Sequence, residues 1–468
     1  MQRVAQIIAN LFRAHGRSSV LGQLSLLILL TCSVASAQVP SKEQAQPSPV
    51  APASPVPTPI QTPSPSPANT PQEDANLIYG LQGVLIETLD GKAVASQSVD
   101  QTFNPASALK LATALVALRT FGPQHRFSTG IWTDGSVDKA NGTINGNLYI
   151  SGRDPSFHDE HAVMIARELN GLGIKTVNGD LIVSPGFSMN FNWSARRSGE
   201  RLYDTLDSTL RPADAITSWT YARTVLKDQS AVQTTPSVAV MGDVYVNPVP
   251  AGARLLVTHQ SSRLTDILKV LLCYSNNFMA ERLGDTIGGV DAVQRTLTGT
   301  LGIAPWEVRL SSLSGLGVNR VTPRAMMKIF RALREELRKY RLSTTDILPV
   351  AGIDPGTLQD RFTDFASRGS VIAKTGTLVR TDGGASSLVG QMKTASGEIF
   401  LFVIFNQRGS VLRFRENQDY LVRQVQSSRG GPKAFEYKPL ALSMRLADTR
   451  SVRGSDEYEP TTTGASSP

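Results

Sequence analysis

Two cysteines and five histidines in 468 residues leave little room for chemistry built on sulfur or imidazole. Cys32 lies in the N-terminal apolar segment, so removal of that segment leaves Cys273 alone and excludes an intrachain disulfide. With Leu271 and Leu272 beside it, Cys273 reads as a buried core thiol rather than a nucleophile. His158 and His161 are three apart around Asp159 and Glu160 and could share a helix face, but His15, His125 and His259 supply no further ligand set. They read as a surface pair, and neither a metal nor a cofactor is expected. The apolar run at residues 20–30, broken by Gly22, Gln23 and Ser25, is shorter than the roughly 20 residues a spanning helix needs. No nucleic-acid signature accompanies the net charge of +8.

What the ends contain is more telling. Arg3, Arg13 and Arg17 form a basic, acid-free start, and Ala35-Ser36-Ala37 gives a small-residue cleavage pattern before Gln38. Residues 1–37 therefore read as a secretory signal, with an uncleaved anchor as the alternative; bulky Thr31 argues against a lipoprotein at Cys32. The exported chain would be periplasmic or wall-associated. Loss of the three arginines lowers the charge from +8 to +5, which fits peripheral contact with wall polymer or a membrane surface but fits an ordinary solvated face better. Residues 38–74, rich in Pro, Ser, Ala, Thr and Gln, read as a stiff tether. Residues 427–468 read as a disordered tail, leaving residues 75–426 as the folded part.

Three short motifs carry the chemistry. Asn104 suits an N-cap and Pro105 a first helical position, and Leu109, Ala112, Leu115 and Val116 continue at helical spacing until Gly122. Ser107 and Lys110 then share the first turn, where the amine can reach the hydroxyl. A serine hydroxyl needs a base, and lysine serves only if burial or another cation lowers its pKa. Ser136 and Lys139 repeat the spacing after the turn Asp134-Gly135 but lead into no apolar helix. Ser275-Asn276-Asn277 reads as a loop between two helical segments, able to relay a proton from Ser275 and hold a carbonyl with Asn277, or simply to cap a helix. Ser188 and Asn190 repeat that spacing without flanking helices. Lys374-Thr375-Gly376-Thr377 lies on a strand spanning 371–379, the first of an antiparallel meander continued by 386–392 and 398–405. Lys374 would face a cleft there, with Gly376 keeping the strand open.

Serine acyl-enzymes of the penicillin-binding class use these motifs in this order. The chain resembles the D-alanyl-D-alanine carboxypeptidase/endopeptidase family, the class C low-molecular-mass penicillin-binding proteins, serine peptidases of the S13 type. Leu348-Pro349-Val350-Ala351-Gly352-Ile353-Asp354 with Gly356-Thr357-Leu358, Tyr149-Ile150-Ser151-Gly152-Arg153-Asp154-Pro155, and Ser314-Gly315-Leu316 with Asn319 are similar to segments of that family. The resemblance implies an α/β (α+β) fold with a transpeptidase-like catalytic domain of antiparallel sheet and helical cluster, formed from residues 75–127 and 252–426. It also implies an insertion between the first two motifs. Residues 128–251 look β-rich, and Ile144-Asn145-Gly146-Asn147-Leu148 echoes Val177-Asn178-Gly179-Asp180-Leu181, so one inserted β-rich domain is expected. The resemblance implies Ser107 as acylated nucleophile, Lys110 as base and Ser275 as proton relay. It implies Asn277 as peptide holder, Lys374 with Thr375 as carboxylate site beside Gly376, and the N–H groups of Ser107 and Thr377 as oxyanion hole. The implied substrate is the peptidoglycan stem peptide, with β-lactam antibiotics as covalent inhibitors. The chain departs from the family pattern at Ser312, Gly317, Arg320 and Pro355, all outside the three motifs. A serine β-lactamase and a catalytically silent wall-binding protein are the rival readings.

Overall fold

The computed structural model describes residues 78–226 and 235–454. The expected signal (1–37) and tether (38–74) lie outside the described residues.

The meander forms as read, at Val371–Leu378, Ala385–Lys393 and Ile399–Gln407. Two strands from the start of the described chain complete it, giving the antiparallel spatial order Val371–Leu378, Ala385–Lys393, Ile399–Gln407, Leu81–Thr88, Ala93–Gln97. Alternation along the strands feeds two cores. Phe400, Phe402 and Ile404 join Val84, Ile86 and Leu388 on one face, while Leu401, Val403 and Phe405 join Leu85 and Val389 on the other. A sheet covered on both faces explains why Ile399–Gln407 is apolar almost throughout. Helices Lys110–Phe121, Leu264–Tyr274 and Pro323–Lys339 contribute to the second core, and Val422 of helix Val411–Ser427 contributes to the first. The Lys110–Phe121 helix is buried from Lys110 through Leu118, as a central core helix must be when it is apolar all round.

Between Gly122 and Leu264 the chain builds a second module. Five strands of this stretch, including Ser128–Thr133 paired with Arg254–Gln260, form a sheet that Arg450–Arg453 completes as a sixth, and a four-stranded sheet stacks on the same buried cluster. This corrects the expected β-rich segment 128–251 in two ways. Helices Asp159–Gly171, Ala195–Leu206 and Ala213–Leu226 are part of it, and its closing strand lies beyond residue 251. The echoed units at 144 and 177 are adjacent parallel rungs, and a third rung at Ala239–Val240 and Val244–Val246 follows them. Stacked turns join the rungs. Asp134 Oδ1 accepts the Asn147 N–H (2.7 Å), Asn147 Oδ1 the Asp180 N–H (2.9 Å), and Asp180 Oδ1 the Asp243 N–H (2.9 Å). Glycine is required in these turns, since a Cβ on Gly179 would lie 2.4 Å from the Gly146 carbonyl oxygen.

The expected disordered tail (427–468) is corrected over its described part, and residues 455–468 lie outside the described residues. Residues 428–454 form a strap containing helix Leu442–Ala447 and strand Arg450–Arg453, which pairs with Arg254–Gln260. Leu442 and Leu446 are buried, and Arg445 pairs with Asp266 at 2.8 Å. The Gly and Ser residues that suggested disorder are interspersed with these apolar anchors. Ending the chain at residue 440 should cost several kcal/mol, because each buried leucine alone contributes about 1.5–3 kcal/mol. A urea melt checks this; an unchanged midpoint would show that the strap adds no stability.

His158 and His161 are not the expected surface pair. His161 is fully buried, its Nδ1 accepts the His158 N–H at 3.2 Å, and its Nε2 faces the Leu446 carbonyl at 3.2 Å. They cap a helix and seat the strap.

Candidate active site

Ser107 lies on a 3₁₀ turn, Ala106–Leu109, and Lys110 is the first residue of the following α-helix. The expected uninterrupted α-helix from Pro105 is thus corrected. Side chains three apart eclipse one another on a 3₁₀ turn, which brings this pair closer than an α-turn would. Ala106 adopts φ +46°, a left-handed conformation that costs energy without a glycine. Its surroundings hold it there. Asn104 Oδ1 accepts the Ala106 N–H (3.0 Å), and Ser387 Oγ donates to the Pro105 carbonyl (2.7 Å).

Lys110 is fully buried, and its Nζ meets three oxygens: Ser107 Oγ at 3.0 Å, Asn277 Oδ1 at 2.7 Å and the Ser314 carbonyl at 2.6 Å. Only one of those partners, the Ser107 hydroxyl, can itself donate. A neutral amine therefore gives its two N–H groups to Asn277 and Ser314 and turns its lone pair to the Ser107 proton. Burial and the neighbouring Lys374 ammonium hold Lys110 well below the ordinary lysine value, against a smaller opposing pull from Glu281. The site meets both conditions for a lysine base.

The second motif both caps and faces the site. Ser275 ends the Leu264–Tyr274 helix in the left-handed region (φ +56°), and Asn276 Oδ1 caps the next helix through the Met279 N–H (2.9 Å). Asn277 opens that helix with its amide on Lys110. Among the described residues the Ser275 hydroxyl has no hydrogen-bond partner.

Lys374 is fully buried, its Nζ donates to the Thr375 carbonyl (2.8 Å), and burial pulls its pKa down to about 7. The strand bearing it is at the edge of the sheet. Val350 bridges to Ile372 on that edge, but among the described residues no strand pairs with the remainder, Lys374 to Leu378. Thr377 Oγ1 accepts a hydrogen bond from Arg415 Nη2 at 2.8 Å. Gly376 leaves that edge unobstructed and also lets the strand approach the Ser107 turn closely. A Cβ there would lie 2.1 Å from Ser387 Oγ, 2.6 Å from the Pro105 carbonyl oxygen and 2.9 Å from the Ser107 nitrogen. Gly315 (φ +86°) approaches the same turn from the other side, where a Cβ would lie 1.9 Å from the Ala106 carbonyl oxygen. Two glycines thus let a strand and a loop clamp the Ser107 amide.

Several supporting residues were missed in the sequence. Glu281 accepts the Ser314 N–H (2.8 Å) and the Leu313 N–H (3.2 Å), holding the carbonyl that Lys110 contacts; its position four after Asn277 on one helix was the available signal. Arg320, read only as a departure, grips Asp382 at 2.7 and 2.9 Å, and Asp382 accepts from Asn104 Nδ2 at 2.7 Å, so it braces the Ser107 turn. Ser312 closes its own loop by accepting the Gly315 N–H (3.1 Å). Cys273 is buried, and burial pushes its thiol up to about 12, which fits a core thiol.

The chain matches the D-Ala-D-Ala carboxypeptidase 3 (S13) family over residues 71–190 and 213–429. It is 28% identical over 436 residues to the D-alanyl-D-alanine carboxypeptidase of Actinomadura sp. (strain R39), covering 71% of this chain and 79% of that one. Its fold is similar to that of the penicillin G-acylated Bd3459 predatory endopeptidase from Bdellovibrio bacteriovorus in complex with immunity protein Bd3460, with TM-score 0.65, 22% identity, and coverage of 81% of this chain and 100% of that one. It is also similar to penicillin binding protein 4 from Haemophilus influenzae complexed with a β-lactam, with TM-score 0.56, 24% identity, and coverage of 75% and 98%.

Proposed function

Because the chain belongs to the D-Ala-D-Ala carboxypeptidase 3 (S13) family, we propose that it removes the terminal D-alanine of peptidoglycan stem peptides through an acyl-enzyme on Ser107. The observation that carries this reading is the Lys110 amine, buried, depressed in pKa and 3.0 Å from Ser107 Oγ. Lys110 takes the hydroxyl proton as Ser107 Oγ attacks the penultimate D-alanine carbonyl. The proton then passes to the departing amine with Ser275 as relay, and water hydrolyses the ester left on Ser107. The N–H groups of Ser107 and Thr377 receive the negative charge that develops on the carbonyl oxygen.

The unpaired edge from Lys374 to Leu378 suits an extended peptide adding as a further strand, with Asn277 holding it from the opposite side. Lys374, Thr375 and Thr377 receive the terminal carboxylate beside Gly376. A β-lactam, which presents an acyl-D-Ala-D-Ala-like amide and carboxylate, acylates Ser107 by the same route. Glu281 supports the peptidase reading over a β-lactamase, because both its oxygens accept backbone N–H groups and it is already committed to the Ser314 loop. Export to the periplasm or cell wall, on the strength of residues 1–37, completes the proposal.

The test is D-alanine release from a stem pentapeptide, run beside cleavage of cross-linked peptide and penicillin hydrolysis. Release by the wild type and none by Ser107→Ala is expected. Rapid penicillin turnover without D-alanine release would favour the β-lactamase instead.

A further inference from the structure

We propose that Arg415 is the permanent cation of the carboxylate subsite, its guanidinium and the Thr377 hydroxyl together receiving the carboxylate of the substrate's last residue. This rests on the reading of Lys374 to Thr377 as the carboxylate-binding strand.

Arg415 comes from helix Val411–Ser427, far in sequence from the three motifs. Its neighbours fix its position: Phe414 is fully buried, and Gln418 Nε2 donates to Ser386 Oγ (3.1 Å) and Asn406 Oδ1 (2.9 Å) on the central sheet. From that anchored helix the guanidinium reaches across to Thr377 Oγ1 at 2.8 Å. Its natural helical partner, Asp419 at i+4, is taken by Arg361, whose Nε and Nη2 lie 2.9 and 2.5 Å from Asp419 Oδ1. Among the described residues Arg415 forms no ion pair. An exposed cation held by one threonine hydroxyl retains donors for an anion.

Thr377 Oγ1 accepts from Arg415, so its own O–H points away from the guanidinium and can donate to an incoming oxygen. Lys374 donates once, to the Thr375 carbonyl, and keeps two further donors. With Lys110 neutral as the base, Lys374, Arg361 and Arg415 face Glu281 and Asp419, and both carboxylates are already engaged. Cys273, the other titratable group felt by Lys374, is a neutral thiol at pH 7. The site therefore carries surplus positive charge that a substrate carboxylate would balance. Burial pulls Lys374 down to about 7, whereas an arginine, even drawn down by burial and Arg361 as Arg415 is, stays charged. Above neutrality Arg415 supplies the attraction.

The experiment compares acylation rates with benzylpenicillin and with its methyl ester, at pH 6 and pH 8.5, for wild type, Arg415→Gln and Arg415→Lys. Arg415→Gln should lose roughly 10- to 100-fold with the carboxylate and less than about twofold with the ester, as expected for one charge-assisted contact. The loss should be larger at pH 8.5, where Lys374 is neutral, and Arg415→Lys should recover part of it. Equal losses with both compounds, no loss, or a loss independent of pH would overturn the assignment while leaving the acyl-enzyme intact. Failure of the wild type to acylate with either compound would instead remove the function on which the assignment rests.

Discussion

Lys110→Met is expected to slow acylation of Ser107 by roughly 10³- to 10⁴-fold, the scale set by losing a positioned general base. Methionine preserves length and volume, so the helix and its packing survive while the amine is lost. Among the described residues no other basic group hydrogen-bonds to Ser107 Oγ. The pH profile gives a second signature. In the wild type, acylation rises with pH as Lys110 loses its proton, and burial with Lys374 places that rise well below an ordinary lysine. In Lys110→Met this limb should vanish. Stopped-flow acylation by a chromogenic β-lactam from pH 5 to 9 checks both points; a retained limb would assign the base elsewhere.

The second large effect concerns stability behind the site. Lys269 and Asp354 are both fully buried and pair at 2.7 Å. Lys269 Nζ also donates to the Thr345 (2.9 Å) and Leu348 (2.6 Å) carbonyls. Asp354 accepts the Val350 N–H (2.8 Å) and the Tyr437 hydroxyl (2.7 Å). The pair thereby fastens residues 348–358 and the C-terminal strap to the helix that ends at Ser275. Gly356 abuts the Cys273 carbonyl, where a Cβ would lie 2.2 Å away, and the Thr357 N–H donates to that same carbonyl at 2.9 Å. Lys269→Met leaves Asp354 buried without its cation and should cost about 3–5 kcal/mol, whereas Lys269→Met with Asp354→Leu should recover most of the loss. Equilibrium denaturation of the two single variants and the double variant measures the coupling. Additive losses would show that the two charges do not act as a pair.

These two sites differ in how far they were legible. Ser107, Lys110, Ser275 and the Lys374 strand were readable because each lies in a short motif whose helix, loop or strand context is local. The meander was readable because period-two apolar runs were separated by turn residues. The Lys269–Asp354 pair was not, because 85 residues separate its partners and a lysine in an amphipathic helix reads as solvated. Arg415 was hidden for the same reason, since its role depends on the helix packing beside a strand 38 residues away. The third rung of the inserted module escaped because Met241 replaces the asparagine of the first two, although the stacked turn survives in Gly242 and Asp243. Strap and tail were confused because composition averages over a segment, while burial depends on a few placed side chains such as Leu442 and Leu446.

On this mechanism the acyl group is carried by Ser107. Mass spectrometry of the protein treated with benzylpenicillin, followed by mapping of the modified peptide, decides whether it is. One adduct per chain on the peptide containing Ser107, absent from Ser107→Ala, is the predicted result. An adduct on another residue, or undiminished labelling of Ser107→Ala, would contradict it.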